Sequence, residues 1–261
     1  MLENFYNSKY FESIQIPEFM KKIGVFIYQP YKWLFYIPFL FISTIVLGVP
    51  GCFIGWFISP KLASRISAVT WAKVNAWATP MFVRITGREN IDRKQSYVIV
   101  CNHQSHYDIF ILYGWLGIDF KWVMKKELRK VPVLGDVCDA MGHIYIDRTN
   151  SANAIEEINR AKERIVNGTS VLFFPEGTRS LTGEMGQFKK GAFKMAIDLG
   201  LPVLPITIKG TRDILPAKTM NLLPGLAQMI IHEPIEICSY SEANIDILMD
   251  KARNIIEGAM E

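Results

Sequence analysis

The sequence predicts an α/β fold, a mixed sheet flanked by helices, with a hydrophobic segment ahead of it. Two observations carry that reading. Short apolar runs of strand length, Tyr97 to Cys101, Trp122 to Met124, Ile144 to Ile146, Val171 to Phe174 and Val203 to Ile208, are separated by stretches of helical pattern, and alternation of this kind builds layered α/β architecture. Before them, Trp33 to Ile58 runs for 26 residues without a charge.

As a helix that uncharged run is about 39 Å long, enough to cross a bilayer. It begins too late and is too long for a cleavable signal peptide. Pro38 and the turn-forming or kinking Gly48-Val49-Pro50-Gly51 interrupt it, so a bent or re-entrant segment competes with a straight span, and both are open. Lys21, Lys22 and Lys32 precede the run and Lys61, Arg65 and Lys73 follow it. Flanks of equal charge assign no orientation and favour both ends on the cytoplasmic face. Residues 61 to 83 mix Trp71, Trp77, Met81 and Phe82 with Arg65 and Lys73, which fits an interfacial amphipathic helix or an ordinary packed one. The chain is therefore divided into an anchoring region, 1–83, and a globular domain, 84–261. Within the latter, helices are expected from Ser151 or Asn153 to Gly168, through KGAFKMAIDLG to Gly200, and over 243–259.

Half of the 261 residues are hydrophobic, with 16 Phe, 10 Tyr and 6 Trp. That content argues against disorder and for contact with lipid or a large apolar ligand. The net charge of +4 is too small for a nucleic-acid-coating polycation, and no nucleic-acid partner is expected. Cys52, Cys101, Cys138 and Cys238 include no C-x-x-C pair, so neither a zinc site nor a disulfide framework is indicated, and a reducing compartment fits.

Three constellations carry chemistry. The first strand ends in Asn102-His103-Gln104-Ser105-His106-Tyr107-Asp108, at the edge where α/β proteins build sites. If a helix opens near Ser105, the Asp108 carboxylate accepts the His103 N–H and fixes its tautomer. The other ring nitrogen is then free to take a proton from a hydroxyl, the base half of a serine-hydrolase triad. A rival reading uses His103, His106 and Asp108 as metal ligands, but neither His143 nor His232 completes the set. The second constellation, Phe173 to Ser180, offers backbone N–H groups, Thr178 and the Arg179 fork at a strand end, which suits a phosphate monoester; a surface loop is the plain alternative. The third ends a strand in Asp147-Arg148. Residues 121 to 130 add five basic side chains and one acid, attractive to a headgroup or an anionic bilayer.

In order along the chain, Asn102-His103-x-Ser105-x-x-Asp108, Ile146-Asp147-Arg148, Phe174-Pro-Glu-Gly-Thr-Arg-Ser180 and Leu201-Pro-Val-Leu-Pro-Ile206 resemble the four motifs of the glycerolipid acyltransferase family, 1-acylglycerol-3-phosphate acyltransferases above all. The resemblance covers roughly Ile85 to Thr211. It implies His103 as general base with Asp108 as its partner, and Lys125, Arg148, Glu176, Gly177, Thr178 and Arg179 around the glycerol phosphate. It also implies an acyl-donor site near Pro205, a membrane-embedded two-helix motif at the N-terminus, and no cofactor. The partners so implied are a lysophospholipid, an acyl-CoA or acyl carrier protein donor, and the inner membrane with the active site on its cytoplasmic side. Oxyanion stabilisation is expected from backbone N–H groups at the start of the helix after His103. His106 and Tyr107 inside the first motif and Leu201 in the fourth depart from the usual pattern without removing a group the chemistry needs.

Overall fold

The computed structural model describes residues 18–146, 165 and 168–260. The N-terminal helix α1, Glu18–Tyr31, continues through a π-helical turn, Lys32–Tyr36, into α2, Ile37–Phe57. Lys22–Phe57 is long and apolar enough to cross a membrane by length and composition. No turn forms at Gly48-Val49-Pro50-Gly51, and of the two readings left open the helix is the continuous one, running through both prolines. The small residues instead form a packing face: Ser43, Gly48, Gly51, Cys52 and Gly55 are the buried residues of α2. A Cβ on Gly51 would stand 2.9 Å from the Ser67 side chain, and one on Gly55 would stand 2.5 Å from the Ala140 carbonyl. Close approach of two helices therefore explains the glycines. After Ser59, whose side chain caps the turn Pro60–Ala63, a second π turn, Ser64–Ala68, leads into α3, Val69–Ala78.

The sheet has seven strands among the described residues: β1 (Met81–Thr86), β2 (Val98–Cys101), β3 (Asp119–Lys125), β4 (Ile144–Ile146), β5 (Thr169–Phe173), β6 (Val203–Lys209) and β7 (Gly225–Ile231). Their order is β1-β7-β6-β2-β5-β3-β4. All pairings are parallel except β6 with β7, so the sheet is mixed, as expected. The five predicted strands are present within a few residues of their expected ends. Two were missed: β7, and β1, whose first residues belong to the stretch read as helix. A boundary at 83/84 falls inside β1, which is hydrogen-bonded into the sheet.

The central strands are buried on both faces, which is why they read as continuous apolar runs. On one face Ile99, Cys101, Leu204, Ile206 and Ile208 pack with α3 and with α4 (Tyr107–Trp115). On the other, Val98, Val100, Val171 and Val203 meet α6 (Gly191–Leu199) and α7 (Ile245–Gly258). Helix α6 ends where expected, at Gly200 in the left-handed conformation, a position that favours glycine. Helix α5, Leu134–Ala140, receives the glycine face of α2. Asp147, Arg148 and nearly all of the helix expected between Ser151 and Gly168 lie outside the described residues.

Candidate active site

His103 leaves the end of β2, the strand between β6 and β5 at the middle of the sheet. The Asn102 amide clamps this exit: its Nδ2 donates to the Ile208 carbonyl at 2.8 Å and its Oδ1 accepts from the Ile208 N–H at 2.7 Å. The chain then turns, and α4 opens at Tyr107. One turn separates His103 from Asp108, and His103 Nδ1 lies 2.8 Å from Asp108 Oδ2.

Four donors converge on that carboxylate. Oδ2 accepts from the N–H groups of Gln104 and Ser105 at 2.8 and 3.0 Å in addition to the imidazole, and Oδ1 accepts from Thr211 Oγ1 at 2.5 Å. Asp108 is 0% exposed, whereas 16% of the His103 side chain reaches solvent. A buried acceptor saturated with donors has one arrangement. The imidazole N–H must point at Asp108, leaving Nε2 as the free acceptor. The ring stacks on Phe174 at 3.8 Å between centroids and 10° between planes. Phe174 rests in turn against Trp122. Thr211 and Phe174 were not read as members of this site from the sequence.

The loop after β5 meets the same edge. Its carboxylate bridges two segments: Glu176 Oε1 accepts from the His103 N–H at 2.7 Å and Oε2 from the Gly186 N–H at 2.8 Å. Burial pushes this carboxyl up, and the two amides pull it back. Glu176 thus clips the loop to the turn that carries His103. Ser180 N–H closes the clip on the His103 carbonyl at 2.8 Å. Gly177 has a φ of 75°, and Lys189 lies across it, where a Cβ would meet the ammonium at 3.0 Å. Thr178 is exposed and Arg179 half-exposed. The charge of Arg179 is felt at His106, whose pKa is lowered first by what burial it has and then by Arg179. Lys125 is exposed at the end of β3, and parallel pairing of β3, β5 and β2 puts it on the same edge as His103.

Other expectations are placed less directly. Pro205 is buried in β6 opposite Val100. By strand alternation it shares the face of Val203 and Thr207, whose hydroxyl donates to the Ile256 carbonyl of α7. That face is the one away from α4. The backbone N–H groups expected to stabilise an oxyanion are largely committed: Gln104 and Ser105 serve Asp108, and Tyr107 N–H donates to Ser105 Oγ. The trio His103, His106 and Asp108 forms no ligand set, and no group of three such side chains suited to a metal occurs among the described residues. His232 bonds Thr207 at 2.8 Å. His143 is buried between Tyr113 and the Trp122 N–H.

Burial, and secondarily Lys121, lowers the pKa of His143 to about 3. A folded-state pKa below the unfolded one gives stability that is complete above about pH 6.5 and is lost as pH falls toward 3. Between pH 7 and 4.5 this histidine is expected to cost about 2 to 3 kcal/mol of stability. Denaturant midpoints at the two pH values should therefore lie closer together in His143→Gln than in the parent; equal spacing would show that His143 does not carry this loss.

A family model described as Acyltransferase matches residues 82–209, the span that contains His103, Asp108 and the loop after β5. The chloroplastic 1-acyl-sn-glycerol-3-phosphate acyltransferase BAT2 of Brassica napus is 38% identical over 74% of this chain and 55% of its own length. A 1-acyl-sn-glycerol-3-phosphate acyltransferase of Saccharomyces cerevisiae is 31% identical over 80% of this chain and 73% of the relative. The chain belongs to the acyltransferase family. The chain spans only a little over half the length of the chloroplastic relative. Its fold also matches the crystal structure of the 1-acyl-sn-glycerophosphate (LPA) acyltransferase PlsC from Thermotoga maritima, with a TM-score of 0.67 at 24% identity, over 94% of this chain and 95% of that one.

Proposed function

We propose that this acyltransferase moves a fatty acyl group from a thioester to the sn-2 hydroxyl of lysophosphatidate, giving phosphatidate. The observation that carries the reading is the imidazole of His103, locked through Nδ1 on a saturated, buried Asp108 and open at Nε2. His103 Nε2 takes the hydroxyl proton as the oxygen attacks the thioester carbonyl. The carbon–sulfur bond breaks, and the leaving thiolate takes that proton back from the imidazolium. No acyl-enzyme is required, because the thioester is already activated. Arg179, Thr178, the backbone of Gly177, Lys125 and Arg148 are assigned to the phosphate, a set of donors suited to a dianionic monoester. Pro205 is assigned to the acyl-donor site through the course of β6.

The donor is acyl-CoA or acyl carrier protein, and the enzyme works on the cytoplasmic face of the membrane. Helix α2 packs its small-residue face on α5 and leaves Phe39, Phe41, Ile42, Ile45, Val46, Val49, Phe53 and Phe57 exposed. A helix held along the domain in this way enters lipid by its outer face and does not cross, which favours a monotopic seat over a span.

Detergent-solubilised full-length protein tested with a panel of lysolipids and both thioester types should release free thiol fastest with lysophosphatidate. Stoichiometric phosphatidate is the expected product. Binding of lysophosphatidate without thiol release would refute turnover, and faster release with another headgroup would refute the substrate.

A further inference from the structure

The π-helical turn between α1 and α2 buries two polar side chains, Lys32 and Tyr36, while Trp33, Leu34 and Phe35 between them stay exposed. Lysine at 2% exposure on an otherwise apolar helix is costly unless it has a partner. Its partner is specific: Nζ donates to the Met220 carbonyl at 2.8 Å. Tyr36 turns the same way. The Tyr107 hydroxyl donates to the Tyr36 hydroxyl at 2.8 Å and lies 2.5 Å from Thr79 Oγ1 at the end of α3. All three residues are buried. Isolated π turns cluster at functional sites because the extra residue re-aims side chains that a regular helix would set elsewhere.

Both contacts lead to Asp108. Tyr107 is its neighbour in the first turn of α4. Met220 belongs to the loop that the Leu223 N–H pins to the Ile214 carbonyl at 2.9 Å, and Leu215 in that loop accepts from Ser105 Oγ at 2.7 Å. The one-turn helix Thr211–Ile214, which the loop follows, carries the hydroxyl that serves Asp108 Oδ1. The turn from Ser105 to Asp108 is thus held from two sides by one five-residue segment whose outer side is apolar.

We infer that the π turn is a positioning element for acyl transfer: Tyr36, through Tyr107, and Lys32, through the 215–223 loop, set the His103–Asp108 pair, so the lipid seat of the N-terminal helix and the geometry of the catalytic turn are one structure. This rests on the acyl-transfer reading above for its kinetic readout but not for its geometric one. Misplacement by less than an ångström near reacting groups costs rate rather than affinity, and groups acting through one bond are not additive.

The test uses the full chain bound to vesicles of phosphatidylethanolamine and phosphatidylglycerol. Tyr36→Phe and Tyr107→Phe, which remove hydroxyls only, are each expected to lower kcat about tenfold. KM for lysophosphatidate should stay within twofold and vesicle binding should be unchanged, and the double variant should be no slower than the slower single. In the same samples, carbethoxylation of His103, followed by peptide mass spectrometry, is expected to be at least threefold slower in both variants, because an imidazole released from its carboxylate is the weaker nucleophile. Unchanged kcat, a loss confined to KM or to vesicle binding, or multiplied losses in the double variant would overturn the inference. If the parent protein shows no acyl transfer at all, the functional reading fails, and the carbethoxylation rates alone decide: equal rates in parent and variants overturn the positioning role.

Discussion

Asp108→Asn is expected to lower kcat for acyl transfer about a thousandfold or more while the protein stays folded. Asparagine keeps the size of the side chain, and its oxygen can still face the three donors on the Oδ2 side if the Thr211 hydroxyl turns to accept from the new NH2 group. In that arrangement the imidazole stays oriented but loses the counter-charge that stabilises it once it has taken the substrate proton. In the opposite arrangement the NH2 confronts His103, the ring takes the other tautomer, and Nε2 carries a hydrogen where a lone pair is needed. Loss of either kind in a hydrolase triad costs three to four orders of magnitude. Free-thiol release at saturating substrate measures the loss, and a thermal melt checks the fold. Activity within tenfold of the parent would remove Asp108 from the mechanism.

The second large effect lies far from the chemistry. Gly55→Val should destabilise the protein by about 3 kcal/mol or more, lowering the melting temperature by roughly 10 °C. The reason is that its Cβ would meet the Ala140 carbonyl oxygen at 2.5 Å, with the carbonyl carbon and Cβ of the same residue at 2.8 Å. Backbone cannot swing away as a side chain can. Gly191→Ala is the control: nothing lies within 4 Å of its Cβ, and alanine at a helix start is neutral or slightly favourable. Equal melting temperatures for the two variants would mean that α2 does not lie on α5 as described.

The contact between His103 and Asp108 was legible because the information is local. A strand end, a five-residue interval and one helical turn determine where the His103 and Asp108 side chains meet, with no knowledge of the rest of the chain. Thr211 was not legible, because it approaches Asp108 across 103 positions and no spacing announces it. The clip made by Glu176 was not legible for a related reason. An acid among Gly, Thr and Arg in a strand-end loop looks like part of a ligand shell, but its two oxygens are claimed by the amides of His103 and Gly186. Main-chain donors supplied by folded geometry leave no trace in composition.

The N-terminal region shows the same limit in another form. Gly48, Pro50 and Gly51 are breakers by local propensity, yet α2 continues through them because α5 and the Ser64–Ala68 turn fill the space that larger side chains would need. Local preference loses to tertiary contact when a helix has a tightly fitting partner. Strand β1 was hidden because Met81 and Phe82 close an aromatic stretch whose helical pattern is genuine as far as Ala78. The central strands β2, β5 and β6 were secure because burial on both faces demands unbroken apolar runs. Strand β7, half-buried along its length, makes no such demand.

Strand β1 pairs only with β7 among the described residues, across roughly 140 positions of sequence. During synthesis the apolar helices leave the ribosome well before their own adjoining strand has anything to pair with. At about 5 to 20 residues per second the delay is on the order of ten seconds. The sheet therefore stays open at β1 until one of the last strands of the chain is made, and the edge next to the apolar helices closes late.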